Sequence, residues 1–575
     1  MSAKSTERPA DISIVLCGSA GQGVQTVEKL MTRIIKKAGF NVFATKEYMS
    51  RVRGGLNSTL IRTGGQPVTS FIDRVDIFVP LSKGAVGHLG KRISEQTVFL
   101  GEKKIFEDEI EDDTPVIDIP FTEIAEELGN KIYSNTVAIG ALAGVLNIEL
   151  KEAAESLKQY FGNKDREVVE KNIEALETGY RKAGEREEKT GIDFNLDPDP
   201  EIRDQILVSG SDAVGLGAIA AGCNFISSYP MSPSTAVLVF LAGKGRDFGV
   251  LAEQAEDEIA AINMAVGAWY AGARGMVTTS GGGLSLMTEG ISLAAMLETP
   301  VVIHLAQRPG PATGLPTRTE QGDLELALHA GHGEFPRIIL APGTLEQGFD
   351  LARKAFNLAD KFQVPVFLLT DQYFMDSYYN TSPFELSGFE VNRNIVKTGQ
   401  GYKRYQLTED GISPRGIPGY GEGLVCVDSD EHDEKGHITE DLEMRNRMVE
   451  KRLKKLDSIR KEAEEPALYG GTDYHNLVIC WGSTLNIVRE AVQILSAENT
   501  SVLHFSQVNP LHDKTAEIIN KAETVSVVEN NATAQFARLL ENRTGVKIGH
   551  NVLKYDGLSF ASDTLAGKLK EIFQG

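Results

Sequence analysis

Apolar and polar positions along the chain fall into repeated strand–turn–helix openings. Ile12–Leu16 is a short continuous apolar run, Gly18–Gly23 a glycine turn, and Val24–Ala38 carries apolar residues at helical spacing. This succession predicts a buried strand, a tight turn and a helix. The runs NSTLIRT, VDIFVPL, TVFL and VIDIP then alternate with helical stretches, which predicts an α/β block with a largely parallel sheet. One charged helix, KEAAESLKQYFGNKDREVVEKNIEALETGYRKAGEREEKTG, is expected to close the block, and IDFNLDPDPEIRD reads as a linker. A second block opens at Gln205–Val208 with a glycine turn over Gly210–Gly215. It continues through GMVTTSGGG, TPVVIHLAQ and VPVFLLTDQ, apolar runs that end in polar or glycine residues. In open α/β sheets, ligands gather at such carboxyl ends of strands. From Tyr378 the pattern loosens into a turn-rich arm, an acidic stretch and a charged helix, and a last small α/β block begins at NLVICWGST. The expected organisation is a multidomain α/β chain divided at 1–190, 191–204 (linker), 205–377, 378–470 (arm) and 471–575.

Composition narrows the function classes. A chain of 575 residues is too long for a single core. Its net charge of −21, from 59 basic against 80 acidic residues, argues against nucleic acid as the main partner. No apolar run reaches the length of a membrane span, and the polar start MSAKSTERPADIS is not a signal peptide. Cys17, Cys223, Cys426 and Cys480 lie far apart with no C-x-x-C, which suggests a reducing cytoplasm rather than a disulfide or metal framework.

The stretch Tyr229–Gly267, YPMSPSTAVLVFLAGKGRDFGVLAEQAEDEIAAINMAVG, concentrates the candidate chemistry. Pro230 and Pro233 pin a turn able to hold Tyr229, Ser232 and Thr235 toward a ligand with little backbone freedom left to lose. Glu253, Glu256, Asp257 and Glu258 follow, and acids in a first helical turn offset the macrodipole. The Ala- and Gly-rich helix behind them must press close against a neighbour, so a carboxylate there is also placed to share a proton. Gly281–Gly283 in TSGGGLS permit a tight turn or close approach to a flat or phosphorylated ligand. In the loop RPGPATGLPTRTEQGDL, Arg308 and Arg318 are candidates for a substrate carboxylate, which a guanidinium fork suits. His332, between two glycines, is either catalytic or a turn residue. GSAGQG, with Gly18, Gly21 and Gly23, is either a phosphate-facing βα turn or a bare one. It matches neither the dinucleotide fingerprint nor the Walker motif. Arg51 and Arg53 beside Gly54–Gly55 form either an anion clamp or a solvated basic loop.

Taken in order, these motifs resemble the α subunit of 2-oxoacid:ferredoxin oxidoreductases in the form with an N-terminally fused γ domain. GSAGQGVQT and EYMSRVRGG are similar to the γ domain, YPMSPST to the family's YPITPS turn, AEQAEDEIAAINMAVGAWYAGAR with TSGGGLSLM to its thiamine-pyrimidine domain, and WGST with VENNATAQF to its transketolase-C-like domain. The resemblance implies that Glu258 contacts the thiamine pyrimidine ring, with Gly281 and Gly282 near the cofactor. It implies that Ser232, standing where the family has threonine, faces the substrate, with Arg318 first and Arg308 second for the substrate carboxylate. A γ-type domain implies coenzyme A contacts near Gly18, Gly21, Gly23, Arg51 and Arg53. No GDG…N motif or cluster-binding cysteine set is found. The resemblance therefore assigns Mg2+, the diphosphate and an iron–sulfur cluster to a separate β subunit, in an (αβ)2 heterotetramer that reduces ferredoxin. The expected substrate is 2-oxoglutarate, converted to succinyl-CoA; pyruvate or a broad 2-oxoacid range is the alternative. A non-catalytic α/β binding subunit and a nucleotide-binding protein are the rival classes.

Overall fold

The computed structural model describes residues 11–49, 55–190 and 197–574. The chain divides into two compact units. The first takes the chain up to Val208 together with Ser377–Pro383 and Ala561–Thr564; the second takes Ser209–Asp376, Phe384–Phe560 and the C-terminus from Leu565.

An eight-stranded sheet organises the first unit, in the order Val116–Asp118, Val98–Gly101, Ile77–Pro80, Asp11–Ser19, Leu56–Gly64, Asn41–Glu47, Tyr378–Thr381, Ile206–Ser209. The expected largely parallel sheet is in fact mixed. Asp11–Ser19 runs parallel to Ile77–Pro80 but antiparallel to Leu56–Gly64, which is in turn antiparallel to Asn41–Glu47. Connection length explains this. Only residues 48–55 separate Asn41–Glu47 from Leu56–Gly64, whereas a parallel crossover takes about a dozen residues or more. The helix Val24–Lys37 buries Val27, Leu30, Met31, Ile34 and Ile35 against the sheet's core.

Three sequence expectations change here. The single charged helix is two, Leu150–Phe161 and Arg166–Thr190, broken where Gly162 and Asn163 interrupt the periodicity. Ile206–Ser209, expected to open the second block, is an edge strand of the first sheet. The expected Gly210–Gly215 turn is the start of a helix, Gly210–Ala220. Ser209 accepts a bond from the Asp212 N–H while the Asp212 carboxylate accepts one from the Ser209 N–H. This reciprocal cap satisfies two end donors and outweighs the local glycine content.

In the second unit a seven-stranded sheet runs Gln507–Asn509, Ile338–Leu340, Pro365–Asp371, Val301–Gln307, Gly275–Thr279, Phe225–Ser228, Leu251–Gln254. Val301–Gln307 and Pro365–Asp371 are buried along their whole length, as befits mostly apolar central parallel strands, and their polar residues His304 and Thr370 pair with each other. The short edge strand Gln507–Asn509 pairs antiparallel. A five-stranded sheet completes the unit, ordered Ala467–Tyr469, Thr500–Phe505, Asn476–Trp481, Thr524–Glu529, His550–Leu553.

The arm contains little regular structure before the helix Leu442–Lys461, and buried charge holds it. Arg274 and Arg415 both engage the fully buried Asp360, and Lys451 and Lys455 both engage the fully buried Glu298.

Candidate functional site

The site is built at the carboxyl ends of the strands Phe225–Ser228, Gly275–Thr279 and Val301–Gln307. Each strand feeds a different segment: the loop Tyr229–Ser234, Ser280 with the first turn of the helix Gly281–Met296, and the loop Arg308–Asp323. Beneath the loops, His304 spans three strands. Its Nδ1 lies 2.7 Å from Thr278 Oγ1 and its Nε2 2.9 Å from Thr370 Oγ1, and burial pulls its pKa down to about 3. The imidazole is therefore neutral and serves as a polar strut under the loops.

The turn is tied at one atom. The Ser232 carbonyl accepts from Ser280 Oγ at 2.8 Å and from Arg308 Nη1 at 2.7 Å, so all three segments converge on it. Within the turn, Ser234 Oγ donates to the Met231 carbonyl at 2.7 Å. Ser232 and Tyr229 are exposed, and Thr235 is half-buried as the first residue of the helix Thr235–Phe248.

Glu258 opens the helix Glu258–Tyr270. It is capped by Asp257, whose side chain accepts the Ala260 N–H at 2.7 Å. Capping and macrodipole thus account for Asp257, while Glu253 and Glu256 are solvent-exposed. Glu258 differs, being 3 % exposed, and its Oε1 is buried without a hydrogen-bond partner. Leaving a buried acceptor unmade costs about 1–3 kcal/mol, more when it is charged. Gly283 lies beside it: a Cβ there would stand 2.7 Å from the Glu258 carboxylate. Gly281 is buried, and Gly282, the next residue of the helix Gly281–Met296, is exposed. A planar ring with a nitrogen directed at Glu258 fits this cradle, because it supplies the missing partner to a carboxylate that glycines leave open.

Asp323, which no sequence motif marks, belongs to the same cluster. A Cβ on Gly281 would overlap its carboxylate, its Oδ2 is buried without a partner, and its N–H donates to Gln307 Oε1 at 2.9 Å. Burial, reinforced by Glu320 and opposed by Arg308, raises its pKa to about 7. Its one signal in the sequence is an acid directly before the apolar start of a short helix, Leu324–His329.

The other candidates are distributed. Arg318 lies against the backbone of Gly557, where a Cβ would stand 3.3 Å from the arginine's own Cβ. Arg308 is committed to the Ser232 carbonyl. His332 lines a different cleft, with Glu334 and Arg445, and its N–H donates to Ser292 Oγ. Gly18, Gly21 and Gly23 belong to the first unit. There Gly21 and Gly23 have φ of 91° and 78°, a left-handed conformation that favours glycine, and Gly23 caps the following helix. Arg51 and Arg53 lie outside the described residues.

Strand-end loops gathered around an orphaned carboxylate form a ligand site of the open α/β class, and comparison with known proteins identifies the family. The family described as "Pyruvate flavodoxin/ferredoxin oxidoreductase, thiamine diP-bdg" matches residues 216–451, and "Pyruvate ferredoxin/flavodoxin oxidoreductase" matches residues 13–182. A 2-oxoacid:ferredoxin oxidoreductase subunit alpha from Sulfolobus sp is 30% identical over 98% of this chain and 97% of its own. A 2-oxoglutarate synthase subunit KorA from Archaeoglobus fulgidus is 32% identical over 64% of this chain and 98% of its own. The solved structure of the 2-oxoglutarate:ferredoxin oxidoreductase from Magnetococcus marinus, with 2-oxoglutarate, coenzyme A and succinyl-CoA bound, superposes with a TM-score of 0.93. It is 32% identical and covers 99% of this chain and 100% of that one. The chain belongs to the 2-oxoacid:ferredoxin oxidoreductase α subunits. Among the described residues no helix is long and apolar enough to cross a membrane.

Proposed function

We propose that the chain is the γ–α fused subunit of a thiamine-dependent enzyme that oxidatively decarboxylates 2-oxoglutarate to succinyl-CoA and CO2 and passes electrons to ferredoxin. The orphaned, buried Oε1 of Glu258 carries this reading. Thiamine diphosphate, when bound, supplies the centre that stabilises the carbanion left by decarboxylation. Glu258 holds a proton at the pyrimidine nitrogen, a role that requires a carboxyl group kept out of water. Gly281 lets the Asp323 carboxylate close in, Gly282 leaves open space for the ring, both glycines lie near the cofactor, and Gly283 lets Glu258 approach it. Ser232 and Tyr229 face the substrate from the tied turn, and Thr235 from the start of the helix that follows it. Arg318 takes the substrate carboxylate, while Arg308 fixes the turn and is second in line for that carboxylate.

The diphosphate, its Mg2+ and an iron–sulfur cluster are assigned to a β subunit, in an (αβ)2 assembly inactive without it. The absence of a GDG…N motif and of clustered cysteines from this sequence supports that division. Coenzyme A is assigned to the first unit, near Gly18, Gly21, Gly23, Arg51 and Arg53. Four free cysteines fit a cytoplasmic setting. The substrate choice rests on the Magnetococcus marinus and KorA relatives; pyruvate, after which both matching families are named, or a broad 2-oxoacid range is the second reading. The deciding experiment compares ferredoxin reduction on 2-oxoglutarate, pyruvate and 2-oxobutyrate by the complex reconstituted with its β subunit, with and without Glu258→Gln. The variant is expected to lose several orders of magnitude; full activity in it would reject the catalytic reading.

A further inference from the structure

A cleft of about 850 Å3 opens in the second unit. Its walls come from the loop after the helix Leu324–His329, the end of the helix Leu442–Lys461, the segment following Gln507–Asn509 and the end of the helix Gln535–Thr544. It shares no residue with the Glu258 cluster, so its chemistry stands independently of the thiamine reading.

At the wall of this cleft is Arg337, 7 % exposed. Its Nη1 donates to the carbonyls of Ala327 at 3.0 Å and Ala330 at 2.6 Å, and its guanidinium lies 4.5 Å from the centroid of the Phe335 ring. Among the described residues no carboxylate lies within ion-pair distance of it, and burial alone lowers its pKa to about 10. Four other buried cations of this unit are paired: Arg274 and Arg415 with Asp360, Lys451 and Lys455 with Glu298. A buried charge without a counter-charge is costly. The carbonyls at the end of the short helix and the face of Phe335 engage the guanidinium with dipoles but give it no full counter-charge.

Two more arginines, Arg460 and Arg543, line the same cleft, and among the described residues neither pairs with a carboxylate. The acids facing it, Glu334 and Asp513, are both exposed. An adjoining recess of about 450 Å3 shares His329 and Arg543. Leu453, Leu456 and Leu511 give the cleft an apolar wall. In a chain of net charge −21 the overall field repels anions, so three uncompensated guanidinium groups around one cavity are a local reversal of sign. Guanidinium forks match carboxylate and phosphate oxygens bidentately.

We propose that this cleft binds a small organic anion whose phosphate or carboxylate groups are held by Arg337, Arg460 and Arg543, with its body against the leucine wall. The test is calorimetric titration of the full-length chain with pyrophosphate and, separately, with citrate, repeated on Arg543→Gln and Arg337→Gln. Saturable binding of either probe is expected, weakened by about tenfold or more in Arg543→Gln, the loss of one charge-assisted contact. Whichever probe binds identifies the phosphate or the carboxylate class. Arg543 is exposed at the end of its helix, so its variant reports binding without risk to the fold. Absence of saturable binding by both probes at millimolar concentration, or unchanged affinity in Arg543→Gln, would overturn the proposal.

Discussion

Gly283 and Glu258 are in direct apposition: a Cβ on the glycine would stand 2.7 Å from both Cγ and Oε1 of the glutamate. Two residues far apart in sequence thus fix one carboxylate, and side-chain size at 283 governs the position of the group at 258. Gly283→Ala is expected to displace Glu258. Misplacement by an ångström costs about a hundredfold in rate. A methyl there also runs into the buried Thr279 Oγ1, so the reconstituted enzyme should lose activity on that order together with about 1–3 kcal/mol of stability. Steady-state ferredoxin reduction alongside calorimetry checks this, and wild-type turnover in the variant would show that the apposition has no bearing on catalysis.

Arg308 and Arg318 are expected to separate kinetically. Arg308 holds the Ser232 carbonyl, so Arg308→Lys should loosen the turn and lower kcat, with a smaller effect on KM. Arg318→Leu, if that side chain receives the substrate carboxylate, should raise KM for the 2-oxoacid by about tenfold or more, the worth of a charge-assisted pair. The same pattern in both variants would remove the distinction drawn between them.

Asp323 gives a pH signature with a definite sign. Its folded pKa of about 7 lies above the unfolded value of 3.8. The folded chain therefore holds the extra proton between those values, and stability falls as pH rises through that window. Stability from this group is complete below about pH 4 and gone above about pH 7. Asp323→Asn should flatten that part of the melting-temperature profile. Parallel profiles for the two proteins would mean that Asp323 ionises normally.

Glu298 acts in the opposite direction. Burial alone would raise its pKa, but Lys451, Lys455 and Arg404 outweigh this and hold it well below the usual 4.5. Burial also pulls Lys455 down to about 8, yet the short contacts with both lysines favour the ionised pair. The stability this carboxylate contributes is present above pH 4.5 and lost as pH falls toward its folded value. At neutral pH, Glu298→Gln leaves two buried lysines uncompensated and is expected to cost about 3–5 kcal/mol by chemical denaturation. A change under about 1 kcal/mol would show that the lysines find other partners.

Much of this was legible in the sequence because it is local. The strands Val301–Gln307 and Pro365–Asp371 are mostly apolar runs, and the helix Val24–Lys37 carries its period openly. The residues alone mark the acidic cluster Glu253, Glu256, Asp257 and Glu258, and the family resemblance picks Glu258 from it. What stayed hidden depends on pairing across distance. Ser209-x-x-Asp212 has the spacing of a capping box, but the glycines at 210, 215 and 217 make the same stretch read as a turn, and only the folded chain shows the reciprocal cap prevailing. The antiparallel half of the first sheet follows from a short connection, and strand composition does not reveal it. Asp323 carries no motif; its role emerges only when Gly281 and Gln307 are brought against it. Ser280 and Arg308 likewise acquire meaning only by sharing the Ser232 carbonyl.

The strand Tyr378–Thr381 lies beside Asn41–Glu47 although more than three hundred residues separate them in sequence. Modularity along the gene and modularity in the folded body therefore differ. A fragment ending at Val208 would contain seven of the sheet's eight strands, but it would expose the whole hydrogen-bonding edge of Asn41–Glu47, which invites pairing with other chains. Separating this first unit into an independent polypeptide would thus require more than a new stop codon: a replacement for four residues that the present chain supplies from its middle.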